Sequence, residues 1–224
     1  AIDRGVNYFD TSPDYSAAGS EQVMGRAIKG VRDQLFIATK FCTPTGHLAS
    51  GTPVAGYKDA IEGSLRRLGT DYVDLYQIHR PDMLTHPADV AATLSALRDE
   101  GKIREVGVSN HTPAQVAALA AHLPFPIATN HPEYSALHLD PLRDGTFDAC
   151  MRDGTVPLVW SPLGGGALAT DPDVTRRLGD ALAALDRVLM DLQFIRSVLQ
   201  GIGYPFRLRR QLPLFSYRDK ADAE

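Results

Sequence analysis

Val6-Asn7-Tyr8-Phe9-Asp10-Thr11-Ser12-Pro13-Asp14-Tyr15 is the stretch from which the fold is read. It opens as a short apolar, aromatic-rich run, the composition of a buried strand. It ends in a carboxylate, a turn built on Pro13 and a tyrosine five positions after Asp10. A carboxylate at a strand end and a phenol on the following loop are able to converge on one cavity. Taken alone, the plainer reading is Asp10 as a helix N-cap and Tyr15 as a packing residue. Later strands that stop in the same way shift the balance.

Upstream, Ala1–Gly5 read as the C-terminus of a helix with Gly5 in the capping position, so an element is expected before them. Downstream, helix-like and strand-like segments alternate. Glu21–Lys29 is helical in composition and is closed by Gly30, and Leu35–Thr39 is the next strand. A glycine-rich loop leads to a helix over Tyr57–Leu68, with Ile61, Leu65 and Leu68 on one face and Gly69 at its end. Tyr72–Ile78 is a strand, Pro87–Glu100 a helix with Val90, Leu94 and Leu97 aligned, and Ile103–Val108 a strand. Pro113 suits the first turn of a helix running to about Leu123, with Thr112 as N-cap. Ile127–Thr129 is a short strand, Asp148–Arg152 ends a helix, and Val156–Trp160 is another strand after the Asp153-Gly154 turn.

Repeated βα units imply parallel strands with helical crossovers. A doubly wound sheet would carry a Gly-x-Gly-x-x-Gly turn after its first strand, and none is present. The expected fold is therefore an α/β (β/α)8 barrel. With 224 residues, against about 250 for a typical barrel, it is expected to be incomplete: the first strand is missing and no eighth is legible. The barrel domain is expected to occupy residues 1–200, with 201–224 an unassigned tail. Open sheet edges would favour association.

Composition narrows the function classes. Hydrophobic residues make up 44% and charged residues 22%, as in a globular protein. A formal charge of −4 argues against a nucleic-acid binder, which usually carries a basic surplus. No apolar run reaches the 18 or so residues of a membrane span, and the N-terminus has no signal-like stretch. Cys42 and Cys150 make no disulfide framework and read as small core residues, so a cytoplasmic location is expected. His47, His86, His111, His122 and His138 read as surface residues, and no His-x-His or His-x3-His pair suggests a metal.

The strand ends carry the chemistry. Successive strands stop at Asp10, Lys40, His79, Ser109-Asn110, Asn130-His131 and Ser161-Pro162-Leu163-Gly164-Gly165-Gly166. In a parallel barrel these groups share the carboxyl-terminal rim, where barrel active sites lie. A phenol donates a proton at neutral pH only if its anion is stabilised. A lysine ammonium beside Tyr15 supplies that stabilisation, and a carboxylate keeps the lysine charged and oriented. A histidine hydrogen-bonds a carbonyl or shares in proton transfer. The arrangement is a general acid aimed at a carbonyl oxygen, and it needs a hydride donor.

The motifs resemble those of the aldo-keto reductase family over roughly residues 1–190. They are the Asp-x4-Tyr of Asp10–Tyr15, Ala38-Thr39-Lys40, Gln77-Ile78-His79-Arg80-Pro81-Asp82, Gly107-Val108-Ser109-Asn110 and Trp160-Ser161-Pro162-Leu163-Gly164. The resemblance implies a (β/α)8 barrel that binds NADPH in an extended form and reduces aldehydes or ketones. It implies Tyr15 as proton donor, Asp10 and Lys40 as its tuning pair, and His79 as the residue orienting the carbonyl. Ser109 and Asn110 match the positions that hold the nicotinamide carboxamide, and Trp160 the aromatic that stacks on the ring. Ser161, Leu163 and Gly164 match the loop that carries the pyrophosphate.

The match has gaps. His131 stands where the family usually has Gln, so it is both a candidate carboxamide contact and a plain rim residue. After Gly166, Val174–Ile195 reads as a helix, and Gly201–Glu224 follows no family pattern. The basic motif for the adenosine 2′-phosphate is not found; Arg207, Arg209, Arg210, Arg218 and Lys220 read as a solvated face. Two other functions stay open: a non-catalytic or incomplete nicotinamide-binding relative, and a Schiff-base aldolase using Lys40.

Overall fold

The computed structural model describes residues 1–41, 55–181 and 183. The chain forms two compact units, Ala1–Gly166 and Ala167–Glu224. In the first, a single 3-10 turn (Ile2–Arg4) closes on Gly5, whose φ of 81° is the left-handed cap expected there. Six strands follow: β1 (Tyr8–Asp10), β2 (Phe36–Phe41), β3 (Val73–Ile78), β4 (Ile103–Ser109), β5 (Thr129–His131) and β6 (Val156–Pro157). They alternate with α1 (Gly19–Ala27), α2 (Ala55–Leu68), α3 (Pro87–Asp99), α4 (Pro113–Ala120) and α5 (Thr146–Asp153).

All five strand pairings are parallel, and the spatial order β1-β2-β3-β4-β5-β6 is the order in the chain. A doubly wound sheet reverses direction partway across, whereas a barrel adds each strand on the same side. These are six consecutive strands of a (β/α)8 barrel. Among the described residues β1 and β6 are the edges, and Tyr8 stacks on Phe36 at 5.5 Å there with both rings partly exposed.

Helix periodicity is realised as the sequence implies. Ile61, Leu65 and Leu68 of α2 are buried, as are Val90, Leu94 and Leu97 of α3. Thr112 caps α4 in a full capping box: its hydroxyl accepts from the Gln115 N–H at 3.3 Å, and the Gln115 side chain accepts from the Thr112 N–H at 2.9 Å. Cys150 is buried at the inner face of α5.

Two strands differ from expectation. β5 begins at Thr129 rather than Ile127, because Pro124 and Pro126 precede it and have no N–H to give. The segment expected as one strand over Val156–Trp160 pairs regularly only at Val156–Pro157. Its N–H groups still donate at alternate positions, from Val156, Leu158 and Trp160 to the carbonyls of Ala128, Asn130 and Pro132 at 2.8, 2.9 and 3.0 Å. Pro132 cannot return a bond, so the ladder is interrupted there and resumes at the Glu133–Trp160 bridge, where the Tyr134 N–H donates to the Trp160 carbonyl at 3.3 Å.

The second unit is described over its first part: α6 (Ala167–Thr170) and a helical run over 172–181. Asp171 caps that run, accepting from the Asp173 and Val174 N–H groups at 2.9 and 3.3 Å. Cys42, His47, the rest of the helix expected over Val174–Ile195 and the basic tail lie outside the described residues.

Candidate active site

Register decides which side chains meet. Lys40 pairs with Gln77, Gln77 with Gly107 and Gly107 with Thr129, so one layer of side chains crosses β2 to β5 on one face. The layer above contains Ser109 and its partner His131, with His79 two residues beyond Gln77. Asp10 pairs with Ala38, one layer below Lys40, and reaches up to it from β1. A cavity of about 260 Å³ at this end of the strands is lined by Tyr15, Lys40, His79, Arg80, Ser109, Asn110, His131 and Trp160.

Lys40 is 1% exposed. A buried ammonium is tolerated only when paired, and Lys40 forms an ion pair with Asp10 and donates to the Thr11 carbonyl at 3.0 Å. Gln77 donates from Nε2 to the other Asp10 oxygen at 3.0 Å, so the carboxylate is held from both sides. The Lys40 ammonium lies 4.9 Å from the centre of the Tyr15 ring, and the His79 ring meets Tyr15 edge-on at 5.8 Å. The loop carrying Tyr15 is tightly wound: Ser16, Ala17 and Ala18 all have positive φ, between 49° and 67°. Left-handed backbone at non-glycine residues is strained.

His79 also bonds away from the cavity. Its Nδ1 is 3.2 Å from Asp14 Oδ2 and 3.4 Å from Ser12 Oγ. Burial and the Lys40 charge push the His79 imidazole below its ordinary value, against the pull of Asp14. Burial brings His131 down to about 4, so both rings are neutral at pH 7.

At the far side, Ser109 donates to the His131 carbonyl at 2.9 Å and accepts from Asn110 Nδ2 at 2.9 Å. The Asn110 amide oxygen in turn accepts from Trp160 Nε1 at 3.0 Å. Asn110 sits at φ 58°, a conformation its short amide tolerates, and this turns the side chain toward Trp160. The Arg80 guanidinium lies over the Trp160 ring at 5.6 Å. Beyond Trp160, Ser161 and Gly164–Gly166 all have positive φ. At Gly164 the positive φ favours glycine, whereas the nearest atom to a Cβ there is the tip of the exposed Leu137 side chain, which can turn aside.

The sequence-derived residues therefore converge, with Asp10 reaching Lys40 from the layer below. Ser161, Leu163 and Gly164 lie on the loop after Trp160, outside the cavity lining. Gln77, Arg80, Ser12 and Asp14 take part without having been singled out; the first two stand inside the Gln77–Asp82 motif and the others inside the opening stretch. One expectation is overturned: His111 is not a surface residue but 7% exposed. The left-handed turn at Asn110 folds it back beneath the rim, where its Nδ1 donates to the Ser109 carbonyl at 2.9 Å.

The family model described as Aldo/keto reductase family matches residues 1–191. The chain belongs to the aldo/keto reductase family. A 6-dehydroglucose reductase of Novosphingobium aromaticivorans is 40% identical over 200 residues, covering 83% of this chain and 64% of that protein. Oxidoreductase YdhF of Escherichia coli is 39% identical over 195 residues, covering 82% and 64%. This aldo/keto reductase chain thus spans 64% of the length of both curated relatives. Among solved structures, the thermostable aldo-keto reductase Tm1743, in complex with the inhibitor epalrestat, superposes with a TM-score of 0.71 at 31% identity, over 83% of this chain and 65% of that one. An aldo-keto reductase from Klebsiella pneumoniae, solved with NADPH, gives 0.65 at 31% identity, over 76% and 57%.

Proposed function

We propose that this site reduces aldehyde or ketone carbonyls to alcohols, with NADPH as the source of the hydride. The reading rests above all on one observation: a buried, carboxylate-paired lysine faces the ring of a tyrosine that lines the same cavity as a histidine. NADPH, with which related aldo-keto reductases have been solved, would supply two electrons and a hydrogen to the carbonyl carbon.

The residues present fit that cofactor. His131 Nδ1 is buried with no hydrogen-bond partner among the described residues, a polar atom that a carboxamide would satisfy. Ser109, Asn110 and His131 would hold the carboxamide, and Trp160 offers the flat apolar surface on which a nicotinamide stacks. The loop of Ser161, Leu163 and Gly164 would take the pyrophosphate, since Ser161 and Gly164, small and at positive φ, let backbone N–H groups come close to an anion.

The chain's own part in the reaction is to move one proton. Tyr15 gives its hydroxyl proton to the carbonyl oxygen as the carbon is reduced, so the alcohol leaves neutral and a phenolate remains. The Lys40 ammonium, itself buried, stabilises that phenolate from beside the ring. Asp10, fixed by Gln77, keeps Lys40 charged and aimed, and solvent returns the proton to Tyr15. The same ion pair speaks against an aldolase, whose lysine attacks as a neutral amine.

Tyr15→Phe should lower reduction of short aldehydes by about 10²–10⁴, while NADPH titrated by its nicotinamide fluorescence still binds. Near-normal turnover by the variant would overturn Tyr15 as proton donor.

A further inference from the structure

Neighbouring residues on a strand face opposite ways. Lys40 and Gln77 point into the barrel, so Phe41 and Ile78 point outward, toward the helices. A second cavity, of about 240 Å³, lies on that outer side. Phe41, Tyr57, Ile78, Val90 and Leu119 form its walls, and it shares no lining residue with the cavity around Tyr15 and Lys40. Protein interiors rarely keep voids much larger than a water molecule, because the lining atoms forfeit their contacts.

His111 also lines this outer cavity and is more than nine-tenths buried. Its Nδ1 is 2.9 Å from the Ser109 carbonyl, which only accepts, so the ring hydrogen sits on Nδ1. Burial brings the imidazole down to about 4, and at pH 7 Nε2 carries a bare lone pair. That nitrogen has no hydrogen-bond partner among the described residues. The other polar side chains here are engaged. Asp82 accepts from the Tyr57 and Thr85 hydroxyls at 2.6 and 2.7 Å, and Gln115 bonds the Thr112 N–H and Met83 Sδ at 2.9 and 3.4 Å.

We propose that this outer cavity binds a small, uncharged aromatic molecule whose N–H or O–H donates to His111 Nε2, at a site separate from the Tyr15 cavity.

The walls set the chemical class. The open polar contact is an acceptor, so the ligand brings the donor. The Phe41 and Tyr57 rings meet edge to face at 5.1 Å, and with Pro81 and Pro87 they present flat apolar surfaces. A rigid ring gives up less freedom on binding than a flexible chain. A dry cavity of about 150 Å³ admits benzene, so about 240 Å³ has room for a fused two-ring molecule such as indole. An anion is disfavoured, because the charged group in the walls is the Asp82 carboxylate. Met83, 74% exposed, borders the cavity and gives it a side open to solvent.

The proposal does not depend on the reductase reading. The test titrates indole, and benzofuran as its counterpart without the N–H, into the full chain labelled with 15N histidine. Calorimetry should give indole a dissociation constant of about 1 mM or tighter, the range open to a ligand of this size. Benzofuran should bind about fivefold or more weakly, the worth of one hydrogen bond. In long-range 1H–15N spectra at pH 7 the His111 Nε2 signal should move with indole while those of His79 and His131 stay. His111→Phe should identify that signal by its loss and bring the two ligands to equal affinity; if the variant does not fold, the wild-type titrations decide. Movement of the His79 or His131 signals instead would put indole in the Tyr15 cavity and overturn the proposal. Weaker binding of indole, equal binding of both ligands by the wild type, or a preference that survives in His111→Phe would overturn it too.

Discussion

Lys40 shows how much one buried charge settles. It is sequestered from water, paired with Asp10 and close to the Tyr15 ring, so it has no role as a surface cation. On the proposed mechanism, Lys40→Met should cut turnover by on the order of 10² or more, because Tyr15 would then leave an unassisted phenolate; single-turnover kinetics with saturating NADPH would measure it. His111 makes a different prediction. Its folded value near 4 lies below the ordinary 6.5. Between those values the unfolded chain binds more protons than the folded one, so stability rises with pH across that window. It is complete above about pH 6.5 and is lost as pH falls toward 4. Urea midpoints at pH 7 and pH 5 should therefore differ more for the wild type than for His111→Gln. An unchanged difference would place the pH response elsewhere. His131 adds a like-signed contribution that the variant leaves in place.

Elements are fixed by close approaches that composition does not announce. Gly107 reads as part of a cofactor motif, yet its position on β4 is steric: a Cβ there would come within 2.2 Å of Thr129 Oγ1 on β5. Gly107→Ala should destabilise the protein by about 1–3 kcal/mol, measured by urea unfolding. Thr129 Oγ1 has no hydrogen-bond partner among the described residues, so adding Thr129→Ala should recover much of the loss. Equal costs with and without Thr129→Ala would show that the contact is not the cause. At α4 the capping box is local and its consequence is small. Thr112→Ala should cost about 1 kcal/mol, seen as a lower unfolding midpoint with the same slope.

Across the first unit, a buried carboxylate joins three elements. Glu21 of α1 is fully buried; it accepts from Thr39 of β2 at 2.6 Å and pairs with Arg67 of α2 at 2.6 Å. Close by, Gly25 of α1 lies where a Cβ would meet the carbonyls of Arg67 and Leu68 at 2.4 and 2.8 Å. The first helix is therefore seated on the end of the second by one charge and one missing side chain. Glu21→Ala should destabilise by about 3–5 kcal/mol, since it strands the Arg67 charge and the Thr39 hydroxyl. A change below about 1 kcal/mol in equilibrium unfolding would mean that water takes the place of the carboxylate.

The alternation of strand and helix, their parallel sense and the polar residue closing each strand all follow from local sequence. Apolar periodicity and glycine or proline punctuation act within a few residues, so they are legible without coordinates. The candidate site was legible as far as its strand-end residues, because a parallel barrel sends every such residue to one rim. Tertiary structure alone decided what depends on partners distant in the chain: the interrupted ladder of β6 opposite Pro132, the burial of His111 under the Asn110 turn, and Glu21 as an interior charge rather than a helix-surface acid. It also decided that Asp14, four residues from Asp10, turns to His79 just past the end of β3. Hydrogen bonds and steric contacts between segments tens of residues apart exist only once the chain has closed, and no local pattern encodes them.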